Sequence, residues 1–460
     1  MLGSRVNLKH IKPNRLFNKN ILNNASITTS KLTIPISSSI KAKSNNVNSN
    51  LYSKSIFNQI LNNNNSYKRF YSTNEQKQQE QQEQKSQQQQ QQKEEKVNED
   101  EEIEQSEPNK KVGRWLLFSC GLVGAMIVIG GITRLTESGL SMVEWKPVVG
   151  TIPPLTQEEW EAEFEKYKQF PEYKKLNMGM TLDEFKQIFF WEYSHRLLGR
   201  VIGVAFFFPF VYYLKKGYID RSLAKKLSVV FLMGGAQGAL GWYMVKSGLD
   251  EKLIQGEVPR VSQYRLAAHL GSAFVIYTAL FWFGLGLVRP AAIASNPNLQ
   301  NFAPKMKKYS HAVAGLIGVT AMSGAFVAGL DAGLVYNTFP KMGDDWIPDD
   351  IINPKIKPAY KNCFEHDVTV QFQHRVLACI TYGSILALTA FAYRGRKALS
   401  PKARLAVNSL AVMGTAQVIL GISTLLTFVP VSLAASHQAG SLTLLTIATW
   451  LLRELKKLPK

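Results

Sequence analysis

Long apolar segments separated by polar loops run through the chain from residue 112 onward. Segments of about 20 apolar residues have the length that a helix needs to cross a bilayer. The pattern predicts eight such helices, near residues 114–133, 190–214, 227–245, 264–287, 310–330, 369–393, 404–427 and 432–452. We therefore expect an all-α polytopic membrane protein.

The loops between these segments alternate in charge. Loops 215–226, 288–308 and 394–404 are basic, whereas 134–187 and 331–368 hold more acidic than basic side chains. Positively charged loops remain on the side from which a protein is inserted, so both termini and the basic loops are predicted to lie on one side. Membrane topology therefore accounts for the formal net charge of +20, and nucleic acid is not expected as a partner.

The N-terminal part of the chain has a different composition. Residues 1–74 contain no Asp or Glu and are basic and rich in Ser, which is typical of a mitochondrial transit peptide. A disordered basic tail is the alternative. The Gln-rich segment 75–111 cannot bury a core and is predicted to be disordered on the matrix side. The expected location is the mitochondrial inner membrane, with both termini in the matrix.

Short motifs recur in the two halves of the apolar region. The matching pairs are "EYSHR" (192–196) with "QFQHR" (371–375) and "AQGALG" (236–241) with "AQVILG" (416–421). The recurrence predicts an internal repeat, in which two tandem four-helix bundles occupy residues 112–288 and 289–460.

Four histidines occupy matching places in this repeat, on the second and fourth helix of each predicted bundle. They are His195 and His269 in the first half and His374 and His437 in the second. Each is followed four residues later by a small residue, which leaves a gap beside the imidazole on the same helix face. Paired imidazoles at one depth in a helical bundle are typical axial ligands of heme.

Other interpretations of the histidines are weaker. Four hydrogen-bonded structural histidines are the alternative to heme ligation, and zinc is disfavoured because neither half offers enough ligands. The remaining histidines, His10, His311 and His366, lie in the transit region, at a helix start and in an acidic loop, and we expect no ligand role for them.

The two halves differ three residues before the first histidine of each pair. Glu192 stands there in the first half and Gln371 in the second. The two side chains have similar shapes, but only Glu exchanges a proton, so Glu192 is a candidate acid–base group. The difference predicts that the first bundle performs chemistry and that the second holds a permanent heme. A structural ion pair between Glu192 and an arginine is the alternative.

Three arginines lie next to these histidines in the sequence. Arg196 and Arg375 directly follow their histidines, and Arg265 precedes His269 by one helical turn. Guanidinium groups in such places can bind heme propionates, and interfacial snorkelling is the alternative. The three cysteines do not make a disulfide framework, and Cys120 and Cys379 are predicted to lie in the core.

Six stretches spread over nearly all of residues 112–452 carry a resemblance to a known family. They are "GGITRLTESGLSMVEWKPVVGTIPP" (130–154), "MTLDEFKQIFFWEYSHRLLGR" (180–200), "PRVSQYRLAAHL" (259–270), "AGLDAGLVYNTFPKMGDDWIP" (328–348), "QFQHR" (371–375) and "ASHQAG" (435–440). In them the chain resembles the mitochondrial heme A synthase family. Bacterial relatives often have a cysteine pair in the first outer loop, but loop 134–187 contains no cysteine.

The resemblance implies a fold, a reaction and a division of roles. The fold is two four-helix bundles in the inner membrane, and the reaction oxidises a ring methyl of heme O to the formyl group of heme A for cytochrome c oxidase. His195 and His269 would flank the substrate heme, His374 and His437 would ligate a resident heme b, and Glu192 would be the catalytic carboxylate.

The resemblance also implies partners. It implies a ferredoxin-type electron donor, and heme O synthase and cytochrome oxidase assembly factors are further candidates, with self-association left open. Two other functions stay open from the residues alone: a bis-histidine cytochrome b that carries electrons, and a heme carrier or assembly factor.

Overall fold

The computed structural model describes residues 107–146, 152–250, 258–289 and 302–456. Within these ranges the backbone is helical apart from loops, short 3₁₀ turns and one isolated bridge between Met342 and Asp345. In chain order the helices are α1 (Glu107–Leu135), α2 (Gln157–Lys168), α3 (Pro171–Lys175), α4 (Leu182–Lys215), α5 (Arg221–Leu249), α6 (Gln263–Val288), α7 (Phe302–Gly329), α8 (Asn362–Glu365), α9 (Asp367–Arg394), α10 (Pro401–Leu426) and α11 (Val431–Leu455).

Seven helices in the described part of the chain are long and apolar enough to cross a membrane: α1, α4, α5, α6, α7, α9 and α10. The prediction of an all-α polytopic membrane protein is therefore confirmed. The eighth predicted span corresponds to α11, which has 25 residues but is not among the seven. Its N-terminal half contains Ser436, His437, Gln438 and Ser441, and these polar side chains lower its mean hydropathy.

Two helices begin earlier than the apolar pattern indicates. A capping box between Thr181 and Glu184 starts α4 eight residues before the predicted residue 190. Helix α1 begins at Glu107, so the last five residues of segment 75–111, which was predicted to be disordered, are helical. The rest of that segment and the predicted transit peptide lie outside the described residues.

The long helices form two groups, each around its own buried cluster. In the first group (α1, α4, α5 and α6), Leu116, Phe206, Leu227 and Leu280 are among the buried residues that pack together. In the second group (α7, α9, α10 and α11) the buried residues are different. They include Met306, Ile385, Leu410 and Leu451.

Helices α1 and α6 of the first group contact helices α7 and α11 of the second group. The Tyr277 hydroxyl on α6 lies 2.8 Å from Thr446 Oγ1 on α11. Gln438 Nε2 on α11 donates to the Ile127 carbonyl on α1 over 3.2 Å. At the helix ends, Asp331 forms ion pairs with Arg134 at 2.8 Å and Arg260 at 3.3 Å. Polar and charged contacts therefore add to apolar packing between the groups.

The loop between α1 and α4 carries the two short helices α2 and α3. Phe164 and Tyr167 on α2 pack against Phe185 and Phe189 in the first turns of α4. The early start of α4 thus supplies an apolar surface beyond the predicted span, and α2 and α3 are anchored on it.

Candidate functional site

In the first helix group, each predicted histidine lies against a glycine of a neighbouring helix. A Cβ placed on Gly130 of α1 would lie 2.8 Å from His195 Cε1 on α4. A Cβ on Gly241 of α5 would lie 3.2 Å from His269 Cε1 on α6. Only glycine leaves room for an imidazole at this distance, so the two rings pack directly on neighbouring backbones.

The second group has the same contacts. Gly324 of α7 faces His374 of α9, with a hypothetical Cβ 3.4 Å from Cε1. Gly421 of α10 faces His437 of α11 at 2.9 Å. Gly241 and Gly421 belong to the motifs that recur in the two halves of the sequence. The sequence assigns no role to any of these glycines, because their partners lie on other helices.

A glutamine also holds the fourth helix of each group at its histidine. Gln237 Nε2 on α5 donates to the main-chain carbonyl of His269 over 3.1 Å. Gln417 Nε2 on α10 donates to the carbonyl of His437 over 2.7 Å. These glutamines belong to the recurring "AQ" motifs, and the contacts give those motifs a structural role beside the histidines.

The Nδ1 atoms of the four imidazoles differ in their hydrogen bonding. Nδ1 of His195, His269 and His437 is buried and has no hydrogen-bond partner among the described residues. Nδ1 of the fourth histidine, His374, lies 2.7 Å from Ser323 Oγ. Metal-bound histidines commonly use one ring nitrogen for the metal and hold the other by a hydrogen bond, and the His374–Ser323 contact has this form.

The two histidines of the second group are spaced for a metal between them. The ring centroids of His374 and His437 lie 6.5 Å apart, with the planes at 86°. Two metal–nitrogen bonds of about 2 Å each, plus the distance from each ring centre to its nitrogen, add to roughly 6 Å. The spacing of the two imidazoles would therefore fit a heme held between them.

All four histidines line one cavity of about 1500 Å³. Pockets for a single small molecule typically measure about 300–1,000 Å³, so this cavity is large enough for ligands bigger than a typical metabolite. Glu192 and Gln371 also line it, whereas His311 and His366 do not. The structure therefore brings together the histidines that the repeat singled out, and His10 lies outside the described residues.

Glu192 is buried, with 3% of its surface exposed, and it is held as an acceptor. Its Oε2 accepts from the Ser141 hydroxyl and from the Met142 backbone N–H, both at 2.7 Å. Its Oε1 accepts from Arg196 Nη2 at 2.6 Å. The ion pair considered as an alternative is thus present, and it leaves the carboxylate in the wall of the cavity.

Gln371 faces a loop that presents a hydrogen-bond acceptor, whereas Glu192 faces donors. Its Nε2 donates to the Ala332 carbonyl over 2.7 Å, and its Oε1 accepts from Arg375 Nη2 at 3.0 Å. Donors from the loop after α1 therefore surround the carboxylate in the first group, whereas a carbonyl of the loop after α7 faces the amide in the second. The carboxylate of Glu192 and the amide of Gln371 therefore each match the hydrogen-bonding groups of the neighbouring loop.

The predicted propionate-binding arginines make contacts within the protein. Arg196 Nη2 donates to the Met142 carbonyl over 2.8 Å, and Arg375 Nη2 donates to the Tyr336 carbonyl over 2.7 Å. Both arginines line the cavity and hold the loops above it. Arg265 is not among the lining residues, and its guanidinium lies 3.6 Å from the ring centre of Tyr243.

Several lining residues are missing from the sequence prediction. They include Arg134, Arg200 and Arg260. The sequence gives little indication of these residues, because each contacts a loop or helix that is far away along the chain. Arg200, for example, donates to the Lys146 carbonyl over 2.7 Å.

The cysteines are free, as predicted. Cys120 is buried, and its thiol lies 3.5 Å from the Tyr277 carbonyl. The prediction that Cys379 lies in the core is wrong, because its side chain is exposed on α9, where it lines the cavity. An apolar stretch in a membrane helix does not reveal which side chains pack against protein and which face a cavity or lipid.

The α4–α5 interface is more open than the α9–α10 interface. A methyl group added at Gly203 on α4 or at Gly234 on α5 would meet nothing within 4 Å. In the second group, the positions that match Gly203 and Gly234 in the repeat hold Tyr382 and Gly414. A methyl group added at Gly414 would lie 3.3 Å from Ile385 Cδ1 and 3.7 Å from Tyr382 Cδ2.

A hydrogen bond also closes the second interface. The Tyr382 hydroxyl lies 3.1 Å from Thr415 Oγ1 on α10. Gly203, Gly234 and Gly238 all line the cavity, so the opening between α4 and α5 is continuous with the histidine site of the first group.

Comparison with known proteins places this architecture in a family. Residues 113–449 match the model of COX15-CtaA, described as cytochrome oxidase assembly protein. The chain belongs to the COX15-CtaA family. The match covers both helix groups and all four cavity histidines, so the COX15-CtaA pattern applies to the whole site.

Individual relatives in this family are similar over most of the chain. "Heme A synthase COX15" of Bos taurus is 50% identical over 351 residues, which is 76% of this chain and 83% of the relative. "Heme A synthase" of Nitrosospira multiformis is 50% identical over 350 residues, or 76% and 94%. "Heme A synthase-mitochondrial ferredoxin fusion protein" of Schizosaccharomyces pombe is 44% identical over 371 residues, or 76% and 60%.

Proposed function

We propose that this protein is a heme A synthase, an oxidoreductase that converts a ring methyl of heme O to the formyl group of heme A for cytochrome c oxidase. The similarity to named heme A synthases, at 50% identity over three quarters of the chain, supports the activity. The contrast between an open histidine site with a carboxylate and a closed one with an amide carries the assignment of roles to the two helix groups.

The first helix group, within residues 112–288, binds heme O as substrate between His195 and His269. The open face between α4 and α5 supports this placement. Heme O bears a long isoprenoid tail, and the glycines at Gly203 and Gly234 leave apolar space for it beside the histidines. The second group has no comparable space at Tyr382 and Gly414.

The second group, within residues 289–460, holds a resident heme b between His374 and His437. The 6.5 Å ring separation and the Ser323 contact support this role. When bound, heme b supplies one-electron transfer. The protein contributes a closed interface, which retains the group and keeps water away from it.

Glu192 is the acid–base group of the first site. Oxidation of a methyl carbon to an aldehyde moves protons at the reacting carbon, and the carboxylate in the cavity wall can accept and return them. Ser141, Met142 and Arg196 hold the carboxylate in one position. Arg196 and Arg375 fix the loops above the sites and, together with Arg265, are candidates to contact heme propionates at the aqueous ends.

The protein lies in the mitochondrial inner membrane with eight spans, including α11, and with both termini in the matrix. The charge of the loops and the contacts at matching positions in the two helix groups support two tandem four-helix bundles. A ferredoxin-type protein supplies the electrons, and a relative fused to a mitochondrial ferredoxin supports this partner.

The heme content of the purified protein tests the proposal. Pyridine hemochrome spectra and mass spectrometry of the extracted pigment should find heme B together with heme O or heme A. Heme B alone in both sites would instead indicate a cytochrome b that carries electrons. Labile heme in both helix groups would indicate a heme carrier.

A further inference from the structure

Two neighbouring residues of α11 contact different helix groups. His437 packs on Gly421 of α10, within the second group. The next residue, Gln438, reaches the first group, where its Nε2 donates to the Ile127 carbonyl on α1 over 3.2 Å. Both residues line the cavity. A polar side chain directly beside a candidate heme ligand therefore bonds to a helix of the opposite group.

Two consecutive glycines of α1 lie at this contact. Gly130 faces the imidazole of His195, and a Cβ there would lie 2.8 Å from Cε1. Gly131 faces Gln438, and a Cβ there would collide with the side-chain amide. Only glycine permits such a close approach. Two packed contacts and the peptide bonds within each neighbouring pair thus connect the imidazole of His195 with that of His437.

The repeat produces a second contact between the groups, that of α6 with α7, and there the matching positions are apolar. Leu270 follows His269 in the place of Gln438, and Ala325 takes the place of Gly131. Leu270 packs against the buried cluster of the first group, and Ala325 is buried. Leucine and alanine side chains neither donate nor accept hydrogen bonds. The amide bond is thus specific to one of two repeat-related contacts.

Packing alone does not require an amide at position 438. Leu270 fills the matching position, and a leucine avoids the cost of taking a polar group out of water. The amide adds direction. In an α-helix the Ile127 carbonyl already accepts the N–H of Gly131, and its second lone pair remains for one donor. The Gln438 contact therefore fixes the depth and rotation of α11 against α1.

We propose that Gln438 is a positioning residue for electron transfer between the two heme sites. It acts through the backbones of α11 and α1, and so fixes the separation of His437 from His195. The inference rests on the proposed function, which assigns heme b to one site and the substrate heme to the other. One electron leaves the ferrous iron of heme b, the ferric iron in the first site accepts it, and a ferredoxin-type donor replaces it. No covalent bond changes in this step.

Three variants of the full-length protein separate the amide bond from packing. Gln438→Leu removes the donor, and Gly131→Ala displaces it. The double variant Gly131→Ala/Gln438→Leu copies Ala325 and Leu270 of the α6–α7 contact, so it restores packing without the amide bond. A misplacement of about 1 Å can lower a rate about 10²-fold, and we expect transfer to slow at least about 10-fold in all three variants. Heme b content should stay unchanged in the double variant.

Rapid mixing with reduced ferredoxin measures the transfer in purified protein that holds heme b and is loaded with heme A in the first site. The formyl group moves the absorption of heme A to longer wavelength, so the reduction of each heme is followed separately. Electron paramagnetic resonance of the oxidised protein reports the magnetic coupling of the two irons, which should change in the variants. Thr443→Ala is the control, because that exposed hydroxyl bonds the Ala439 carbonyl of its own helix, and it should retain the wild-type rate and coupling.

Three results would overturn the positioning role. One is a wild-type transfer rate in Gln438→Leu. Another is a wild-type rate in the double variant, because packing would then explain the single substitutions. The third is loss of heme b from the double variant, since Gln438 would then support the ligand rather than the separation of the sites. If the wild type passes electrons between the hemes but converts no heme O, the proposed activity fails and the comparison of variants still decides the role of Gln438.

Discussion

At the scale of single residues, polarity in the loops decides what each site can do. Glu192 and Gln371 occupy matching positions in the motifs, yet the loop after α1 presents an N–H and a hydroxyl where the loop after α7 presents a carbonyl. An acid–base group needs more than its own carboxyl. It also needs surroundings that hold the carboxylate in one orientation.

Glu192→Gln should abolish most heme A formation while heme b remains bound. The amide cannot accept a proton, and its NH₂ group would face the Met142 N–H. We expect a loss of about 10²–10⁴-fold in rate, measured as the ratio of heme A to heme O at matched protein level. Gln371→Glu is the reciprocal control, and it should weaken the second site because a buried carboxylate would face the Ala332 carbonyl. A wild-type rate in Glu192→Gln would make Glu192 structural.

Ser323→Ala should weaken the resident heme b. The substitution removes the partner of His374 Nδ1, and loss of such an outer contact typically lowers metal affinity about 10–100-fold. Heme b absorbance during titration with a competing heme-binding protein measures the change. Ser436→Ala is the control, since that hydroxyl, next to His437, bonds the Ser432 carbonyl of its own helix. Equal affinities in both variants would contradict the role of Ser323.

At the scale of helices, the packing of one helix pair distinguishes the two proposed heme sites. Bulky residues and a hydrogen bond close α9 against α10, whereas glycines leave α4 and α5 apart. Apolar helices tolerate this difference because lipid fills the space that protein leaves.

Gly203→Tyr should close the α4–α5 face, because Tyr382 fills the matching position in the second group. Binding of heme O should fall at least about 10-fold, the effect of a loss of 1.4 kcal/mol in affinity, while heme b stays bound. Spectral titration with heme O measures the change. Gly318→Tyr on α7 is the control, because a methyl group there also meets nothing within 4 Å but the residue does not line the cavity. Unchanged heme O affinity in Gly203→Tyr would exclude this entry face.

At the scale of the whole molecule, loop charge and helix number together predict an orientation. An even number of spans returns the chain to the side from which it started, so α11 must cross the bilayer if both termini are in the matrix. Its polar N-terminal half faces the cavity with His437, which explains how a helix of low mean hydropathy can still be a span.

Cysteine labelling of intact mitoplasts checks this topology. Cysteines introduced at Lys216 and at Lys355 should react from opposite sides, with position 355 reached from the intermembrane space. The reason is that the loop between α4 and α5 is basic, whereas the loop between α7 and α9 is acidic. A variant with a cysteine at Lys456 should label like the one at Lys216. Labelling of Lys456 with Lys355 instead would mean that α11 does not cross.

The sequence by itself determined the class of the protein and the residues at the centre of its site. Bilayer thickness sets the length of a membrane span, so the length of an apolar segment predicts a span. Motifs that recur at a constant spacing identify equivalent helices in the two halves. His195, His269, His374 and His437 were identifiable in this way because each lies at a fixed place within its own helix. In the structure all four line one cavity.

Only the tertiary structure decided the space and the polar contacts around each site. The glycines beneath the imidazoles, the donors around Glu192, the clamped arginines and the opening between α4 and α5 all depend on residues that are distant in sequence. Sequence periodicity reports which face of a helix is apolar, but packing alone determines which side chains meet across helices, and those contacts set charge, space and access at the site.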